Sequence, residues 1–234
     1  MKLTPSSVYQ CLFDFFGEQD WWPVDTSYHR QHESDPRFEI IIGTILTQNT
    51  AWTNVETALG HLKSQHLLDI KNIAAMDSAR LTALIQSSGY FNQKAARLQE
   101  LSTYLLKTYQ GDLSSLFNKK KDLLRQELLS LKGIGPETAD SILLYAGNFP
   151  VFVVDAYTKR ICQRIPFEMP IFSYDSVQQF FQQHLQKGKT NEQLVYLYQQ
   201  YHALLVEQAK QFCKVKPKCD TCPLQTSCSF KKML

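Results

Sequence analysis

The chain has no apolar run approaching the ~20 residues that a membrane-crossing helix requires, so no helical span is expected. Its N-terminus lacks a basic end followed by an apolar core, so no secretory signal is expected and the chain reads as cytoplasmic. Internal repeats and low-complexity segments are absent, and alternating strand patterns are scarce, which predicts an all-α fold. Charge of one sign is also short: the net value of +3 permits nucleic acid binding without demanding it. His29, His32, His61, His66, His184 and His202 share no ligand spacing, so each reads as a surface or satisfied core side chain.

What is present suffices for a core. With 234 residues, 44% of them hydrophobic and 20% charged, the chain suits one domain or two small helical ones. Its basic residues bunch in two places, Lys119, Lys120, Lys121 and Arg125, and then Lys214, Lys216, Lys218, Lys231 and Lys232. Either run can be an ordinary solvated face.

Residues 131–160 carry the densest signal. Gly133-Ile134-Gly135 lets the backbone turn tightly and expose consecutive N–H groups, and Pro136 sits where a helix begins. Leu128, Leu129 and Leu131 end one helix before this turn, and Ala139, Ile142, Leu143 and Ala146 recur at helical spacing after it. Asp155 follows the apolar run Val151 to Val154, which draws the local backbone inward and makes a carboxylate there conspicuous. The plain reading is a helical hairpin whose next helix, from Ala156, is capped by Asp155.

Elsewhere the pattern is helical. A central buried helix is expected from Phe38 to Leu46, ending in the polar tetrad Thr47-Gln48-Asn49-Thr50, with Thr50 a natural N-cap for an amphipathic helix from Trp52 to about Lys63. Asp77 or Ser78 caps a helix through Ile85, Ser87 to Tyr90 breaks it, and Phe91 to Tyr109 is helical again. Leu113 to Phe117 reads as a short turn or helix, and Asp122 as the cap of the helix entering the hairpin. Pro166 to Pro170 interrupts the pattern; Ser173 or Asp175 then starts a helix to Leu185, and Asn191 a long one to about Phe212. Near the N-terminus, Pro23 biases Trp22 toward an extended conformation, and Trp21 and Trp22 cannot share one helical face, so both can pack on the core or one can project.

Four of the six cysteines, Cys213, Cys219, Cys222 and Cys228, fall at gaps of five, two and five residues, stiffened by Pro217 and Pro223. Four thiolates so close suit a tetrahedral zinc or a cubane iron–sulfur cluster, and spacing alone does not choose.

The hairpin followed by an aspartate resembles the helix-hairpin-helix DNA glycosylases, the family of endonuclease III, over residues 21–228. The resemblance implies two helical domains with an active-site cleft between them, residues 29–149 ending in the hairpin, and residues 1–28 with 150–234 carrying the metal loop. It implies a double-stranded DNA partner containing a damaged or mispaired base, a monomer, and a nucleoid association in a bacterium. Gly133, Ile134, Gly135 and Thr138 would hold a DNA phosphate, with Asn49 and Thr50 nearby, while Gln48 would fill the gap left by a flipped nucleotide. Relatives hold a [4Fe–4S] cluster with gaps of six, two and five, and Lys216-Pro217-Lys218-Cys219 resembles their basic stretch; iron–sulfur is therefore expected over zinc, although the first gap here is one residue short.

Strand-cleaving members place a lysine where this chain has Glu137. A carboxylate forms no imine, so the resemblance implies a monofunctional glycosylase in which Asp155 stabilises the sugar cation and water captures it. Trp21-Trp22-Pro23, Gln48-Asn49-Thr50 with Trp52, Ser88 to Ala95, and Gly135 to Asp140 are similar to the 3-methyladenine DNA glycosylases. There Trp21 and Trp52 would sandwich the flipped base, Trp22 and Pro23 would border it, and Lys210 would lie near the pocket. A cationic alkylated adenine suits stacking between electron-rich faces, at roughly 0.5–2 kcal/mol per contact. The alternatives are a glycosylase for thymine or uracil opposite guanine, and a non-catalytic binder of distorted DNA; a buried Asp155 near phosphates would serve the binder nothing.

Overall fold

The computed structural model describes residues 3–165, 167–168, 172–226, 228 and 230. Pro166, Pro170, Lys231 and Lys232 lie outside the described residues. Within them the elements are α1 (Pro5–Phe16), α2 (Thr26–Gln31), α3 (Pro36–Leu46), α4 (Trp52–Ser64), α5 (Ile70–Ala75), α6 (Ser78–Leu84), α7 (Phe91–Tyr109), α8 (Leu113–Phe117), α9 (Lys121–Ser130), α10 (Pro136–Ser141), α11 (Ala156–Arg164), α12 (Tyr174–Leu185) and α13 (Asn191–Gln211). A 3₁₀ turn covers Gln86–Ser88 and a π-helical turn covers Ile142–Ala146. Among the described residues there is no strand, so the chain is all-α, and no helix is long and apolar enough to cross a membrane. Contacts divide the chain into two compact units, Trp22–Gly147, and Met1–Trp21 with Asn148–Leu234.

The unit Trp22–Gly147 is built around α3. Asp35 caps it through the Arg37 N–H, Pro36 opens it, and every residue from Phe38 to Leu46 is buried. A helix apolar on all sides has no solvent face and must be packed all round. Its one acid, Glu39, is 2% exposed and accepts from His29 Nε2 (2.8 Å), Lys63 Nζ (2.9 Å) and the Asp25 N–H (3.2 Å). Burial opposes its ionisation, but these donors outweigh that and hold the carboxyl below its usual range.

Two expected caps are placed differently. Ala51, without a side-chain bond, is the N-cap of α4, while the Thr50 hydroxyl accepts from Asn54. Asp122 lies in the first turn of α9, where Lys120 is the N-cap; the acid favours the helix dipole without closing a cap bond. The basic run before the hairpin is partly neutralised, because Lys119 pairs with Glu127 and Arg125 makes a two-point contact with the buried Asp140 (2.6 and 3.0 Å).

In the other unit, α13 supplies the spine. Thr190 caps it with a capping box, and Tyr201, fully buried, donates to the Pro5 carbonyl (2.9 Å). Gln200 and Gln19 exchange two hydrogen bonds (2.7 and 2.8 Å), fixing the segment that leads from α1 to Trp21 against α13. The run Val151 to Val154 is buried as its composition implies. Buried backbone outside a helix needs partners, and α12 supplies them: the Phe152 N–H donates to Gln182 Oε1 (3.0 Å) and Gln178 Nε2 donates to the Phe152 carbonyl (2.7 Å).

Lys94 is buried at 1% exposure, and its Nζ donates to the carbonyls of Leu46 (2.8 Å) and Ser88 (2.6 Å). Burial first, and Arg97 second, bring its pKa down to about 8. A lysine depressed on folding penalises the native state below that pH, and the penalty is relieved as pH rises from about 8 toward the unfolded value of about 10.4. Lys94→Met relieves that penalty but leaves two carbonyls unpaired; it should be less stable than wild type at pH 7, and its deficit should widen by on the order of 1 kcal/mol by pH 9.5. Urea titrations of both proteins at the two pH values measure this; a constant deficit would contradict it.

Candidate functional site

The hairpin joins α9 to α10. Gly133 takes φ +83°, a conformation that favours glycine, and a Cβ there would come within 2.3 Å of the Arg97 side chain. The Ile134 N–H donates to the Leu131 carbonyl (3.2 Å), so the middle one of the consecutive N–H groups expected to be exposed is engaged within the turn. Gly135, exposed and extended, is the N-cap of α10, followed by Pro136 and the exposed Glu137.

Gln48, just past the end of α3, is tied to this turn. Its Nε2 donates to the Gly133 carbonyl (3.0 Å) and the Thr138 hydroxyl (3.0 Å), and its Oε1 accepts from Arg97 Nη1 (2.6 Å). Thr138 is buried and faces Gln48. The neighbouring Asn49 is exposed, with φ +54°, and so forms the projecting corner of this loop. Sequence reasoning had no signal for Gln48 as a brace, because its partners lie some 85 to 90 positions away.

Three aromatic residues of this unit, Trp22, Trp52 and Tyr145, form one group. Trp22 stands edge-on to Trp52 (centroids 5.3 Å, 90°) and tilted against Tyr145 of the π-helical turn (5.4 Å, 59°). Its indole lies on α3 at Gly43, a residue the sequence reading passed over although it is the one glycine in that aliphatic helix. Pro23 and Trp52 line an open pocket of about 350 Å³ with Asp25, Glu39, Glu56 and Lys63. A cavity of about 600 Å³ elsewhere in this unit contains none of the expected site residues; Asp35, Asp69 and Asp112 in its lining are helix N-caps.

In the other unit, Asp155 caps α11 as read, accepting from the Thr158 N–H at 2.6 Å. Its Oδ2 lies 3.7 Å from His202 Nε2 on α13, the nearest side-chain nitrogen that the structure places beside it. Burial opposes ionisation; His202 and the Thr158 N–H together outweigh it and keep the carboxyl below its usual range. His202 was missed because i, i+3 and i, i+4 spacing along one helix says nothing about a partner 47 residues upstream. Lys210 Nζ lies 6.0 Å from the Trp21 ring centroid, the outer limit of cation–π reach, and 3.4 Å from Glu207.

The four clustered cysteines, Cys213, Cys219, Cys222 and Cys228, line a single cavity. Gln208 Nε2 donates to Cys222 Sγ (3.0 Å) and Arg164 Nη1 to Cys213 Sγ (3.3 Å), while Arg160 and Arg164 hold the loop carbonyls of Cys213 and Lys214 (2.8 and 2.6 Å). Among the described residues, no three Cys, His, Asp or Glu side chains converge closely enough to hold a single metal ion.

The sequence profile of the HhH-GPD superfamily base excision DNA repair proteins matches residues 42–187. A protein of Methanocaldococcus jannaschii, itself assigned only provisionally as a DNA repair glycosylase, is 41% identical over 96% of this chain and 95% of its own. The crystal structure of an H. pylori 3-methyladenine DNA glycosylase bound to 1,N6-ethenoadenine superposes with a TM-score of 0.71 at 28% identity, covering 89% of this chain and 98% of that one. An endonuclease III in a non-covalent complex with DNA shares the fold, with a TM-score of 0.72 at 21% identity over 99% of this chain and 98% of that one. The hairpin, the capping aspartate and these likenesses together make the chain a DNA glycosylase that belongs to the HhH-GPD superfamily of base excision DNA repair proteins.

Proposed function

We propose that the protein is a monofunctional glycosylase that releases an alkylated purine of the 3-methyladenine type, with Asp155 as its catalytic carboxylate. The observation that carries this reading is a buried aspartate kept ionised at a helix N-terminus, in a chain whose hairpin bears Glu137 rather than an amine. As the C1′–N bond breaks, its electron pair leaves with the base and positive charge grows on the sugar. A fixed anion stabilises that charge and takes the proton of the water that bonds to C1′. Without an amine at position 137, no imine forms there and the product is an abasic site.

Trp21, Trp22, Pro23 and Trp52 would receive the base, with Lys210 near them. The pocket lined by Pro23 and Trp52 carries three carboxylates, Asp25, Glu39 and Glu56, against one ammonium, Lys63, a field that favours a cationic base. Similarity to a 3-methyladenine glycosylase over most of the chain supports the same substrate class. Gly133, Ile134, Gly135 and Thr138, with Gln48, Asn49 and Thr50, would engage the DNA backbone and the vacated stack. Cys213, Cys219, Cys222 and Cys228 would hold a [4Fe–4S] cluster, a reading supported by their common cavity. When bound, that cluster supplies a covalent staple for the loop; no step of the chemistry passes through it.

Asp155→Asn should bind an abasic-site duplex within about threefold of wild type and lose about 10²-fold or more in single-turnover base release. Glu137→Gln should lose less. Comparable losses in the two would refute this ranking, and unchanged release by Asp155→Asn would remove the aspartate from the chemistry. The base is identified with duplexes containing 3-methyladenine, 7-methylguanine, hypoxanthine, or uracil or thymine opposite guanine; preference for the last two would favour mismatch repair. Borohydride should trap no protein–DNA adduct with any of them.

Purified protein should be brown and contain iron and sulfide. Colourless protein with one zinc per chain would overturn the cluster.

A further inference from the structure

We infer that Gly43 is a specificity-determining position: it sets how deeply the Trp22 indole seats on α3, and so fixes the aromatic wall that Trp22 and Trp52 form. The inference rests on the proposal that these rings receive the base.

Glycine weakens a helix interior, yet Gly43 stands in the middle of α3 among Ile40, Ile41, Ile42, Thr44, Ile45 and Leu46. Its backbone gives no reason for it, because it is not among the residues with positive φ. The reason is space. A Cβ at position 43 would lie 2.9 Å from Trp22 Cζ2, 3.1 Å from Nε1 and 3.2 Å from Cε2, all inside ordinary van der Waals contact. These atoms belong to a rigid ring, not to the end of a flexible side chain. Trp52 and Tyr145 both meet that ring, with centroids 5.3 and 5.4 Å away, and the π-helical turn carrying Tyr145 packs on α3. The Thr47 hydroxyl, donating to the Gly43 carbonyl at 2.5 Å, pins the helix at the same residue. With two rings packed against it, the indole makes room for a methyl by rising off α3 and changing its angle to Trp52. Aromatic stacking depends on ring offset and angle, so the displaced wall would accept a flat base less well, and a bulkier one least.

The test compares wild type, Gly43→Ala, Trp22→Phe and the double variant in single-turnover release across the base panel with a 1,N6-ethenoadenine duplex added. Gly43→Ala should slow release about tenfold, more for 1,N6-ethenoadenine than for 3-methyladenine, while binding to an abasic-site duplex changes less than threefold. Adding Trp22→Phe, whose smaller ring leaves room for the methyl, should restore the double variant to the rate of Trp22→Phe alone. If Gly43→Ala folds poorly, the double variant against Trp22→Phe carries the same comparison. Near-ultraviolet circular dichroism of the Trp22–Trp52 pair should change on Gly43→Ala, and this is read whether or not the base is an alkylated purine. Wild type that releases only a mismatched pyrimidine would reject the substrate proposal, and the Gly43 comparison would then be read on that base. Rates within twofold of wild type, an unchanged spectrum, or losses in the double variant that simply multiply would each overturn the role of Gly43.

Discussion

Helix α3 has no solvent face, and much of the Trp22–Gly147 unit follows from that constraint. A carboxylate inside such a helix must be satisfied completely, and Glu39 is, by an imidazole, an ammonium and a backbone N–H. Leaving one member of such a cluster unpaired costs about 3–5 kcal/mol, so α2, the start of α3 and α4 are locked together by one acid. At the far end, the last carbonyls of the helix have no intrahelical donor. Lys94 reaches one of them from α7 and the Ser88 carbonyl with the same ammonium. The loops that follow α3 and precede α7 are thereby joined from beneath, which is where the exposed Asn49 and the exposed Tyr90 stand, both with positive φ. Strained, exposed corners persist only when the structure under them is rigid, and a buried ammonium between two carbonyls provides that.

The second unit solves a similar problem with the opposite charge. A buried carboxylate is expensive in the ionised form, but an N-cap aspartate has a helix N–H aimed at it and the positive end of the dipole behind it. Asp155 adds His202 from α13. The result is an anion maintained away from bulk water, the condition under which a fixed charge acts most strongly on a developing cation. The same helix carries Arg160 at its middle and Arg164 at its end, which hold the carbonyls of the cysteine loop. One short helix therefore places the carboxylate at its N-cap and restrains the loop from its second half.

How much of this was legible depended on whether the cause was local. The all-α class, the end of α3, the bounds of α7, the buried run before Asp155 and the cap at Asp155 all follow from composition or periodicity within a few residues, and the structure has them, although α3 starts at Pro36 rather than Phe38. Helices α1, α2 and α5 were not anticipated. The last two have six residues each, too few for a periodic stripe, and are held by the N-caps Asp25 and Asp69 and by packing. Thr50 and Asp122 looked like caps because they are good capping residues near helix starts, but capping depends on which residue takes the half-in backbone position, and that fell to Ala51 and Lys120. The tertiary partnerships were invisible for a different reason: Gln48 with Gly133, Trp22 with Gly43, and Asp155 with His202 join residues whose separation in sequence follows no helical period.

The bracing of Gln48 bears on how the hairpin and the polar corner would act together. If Gln48 enters the duplex, as the family resemblance implies, it must give up two donated bonds and the one it accepts from Arg97. Neutral bonds of this kind contribute about 0.5–1.5 kcal/mol each and one to a charged group about 1.5–3, so the move is favourable only if the released groups find new partners at the same time. Arg97, which lies against Gly133, would then be a cation without its amide beside the turn that is to meet a phosphate. A phosphate at the hairpin would offer Arg97 a better acceptor than a glutamine oxygen. Backbone capture would thus loosen Gln48, and insertion of Gln48 would free Arg97 for the backbone, so that each event lowers the cost of the other.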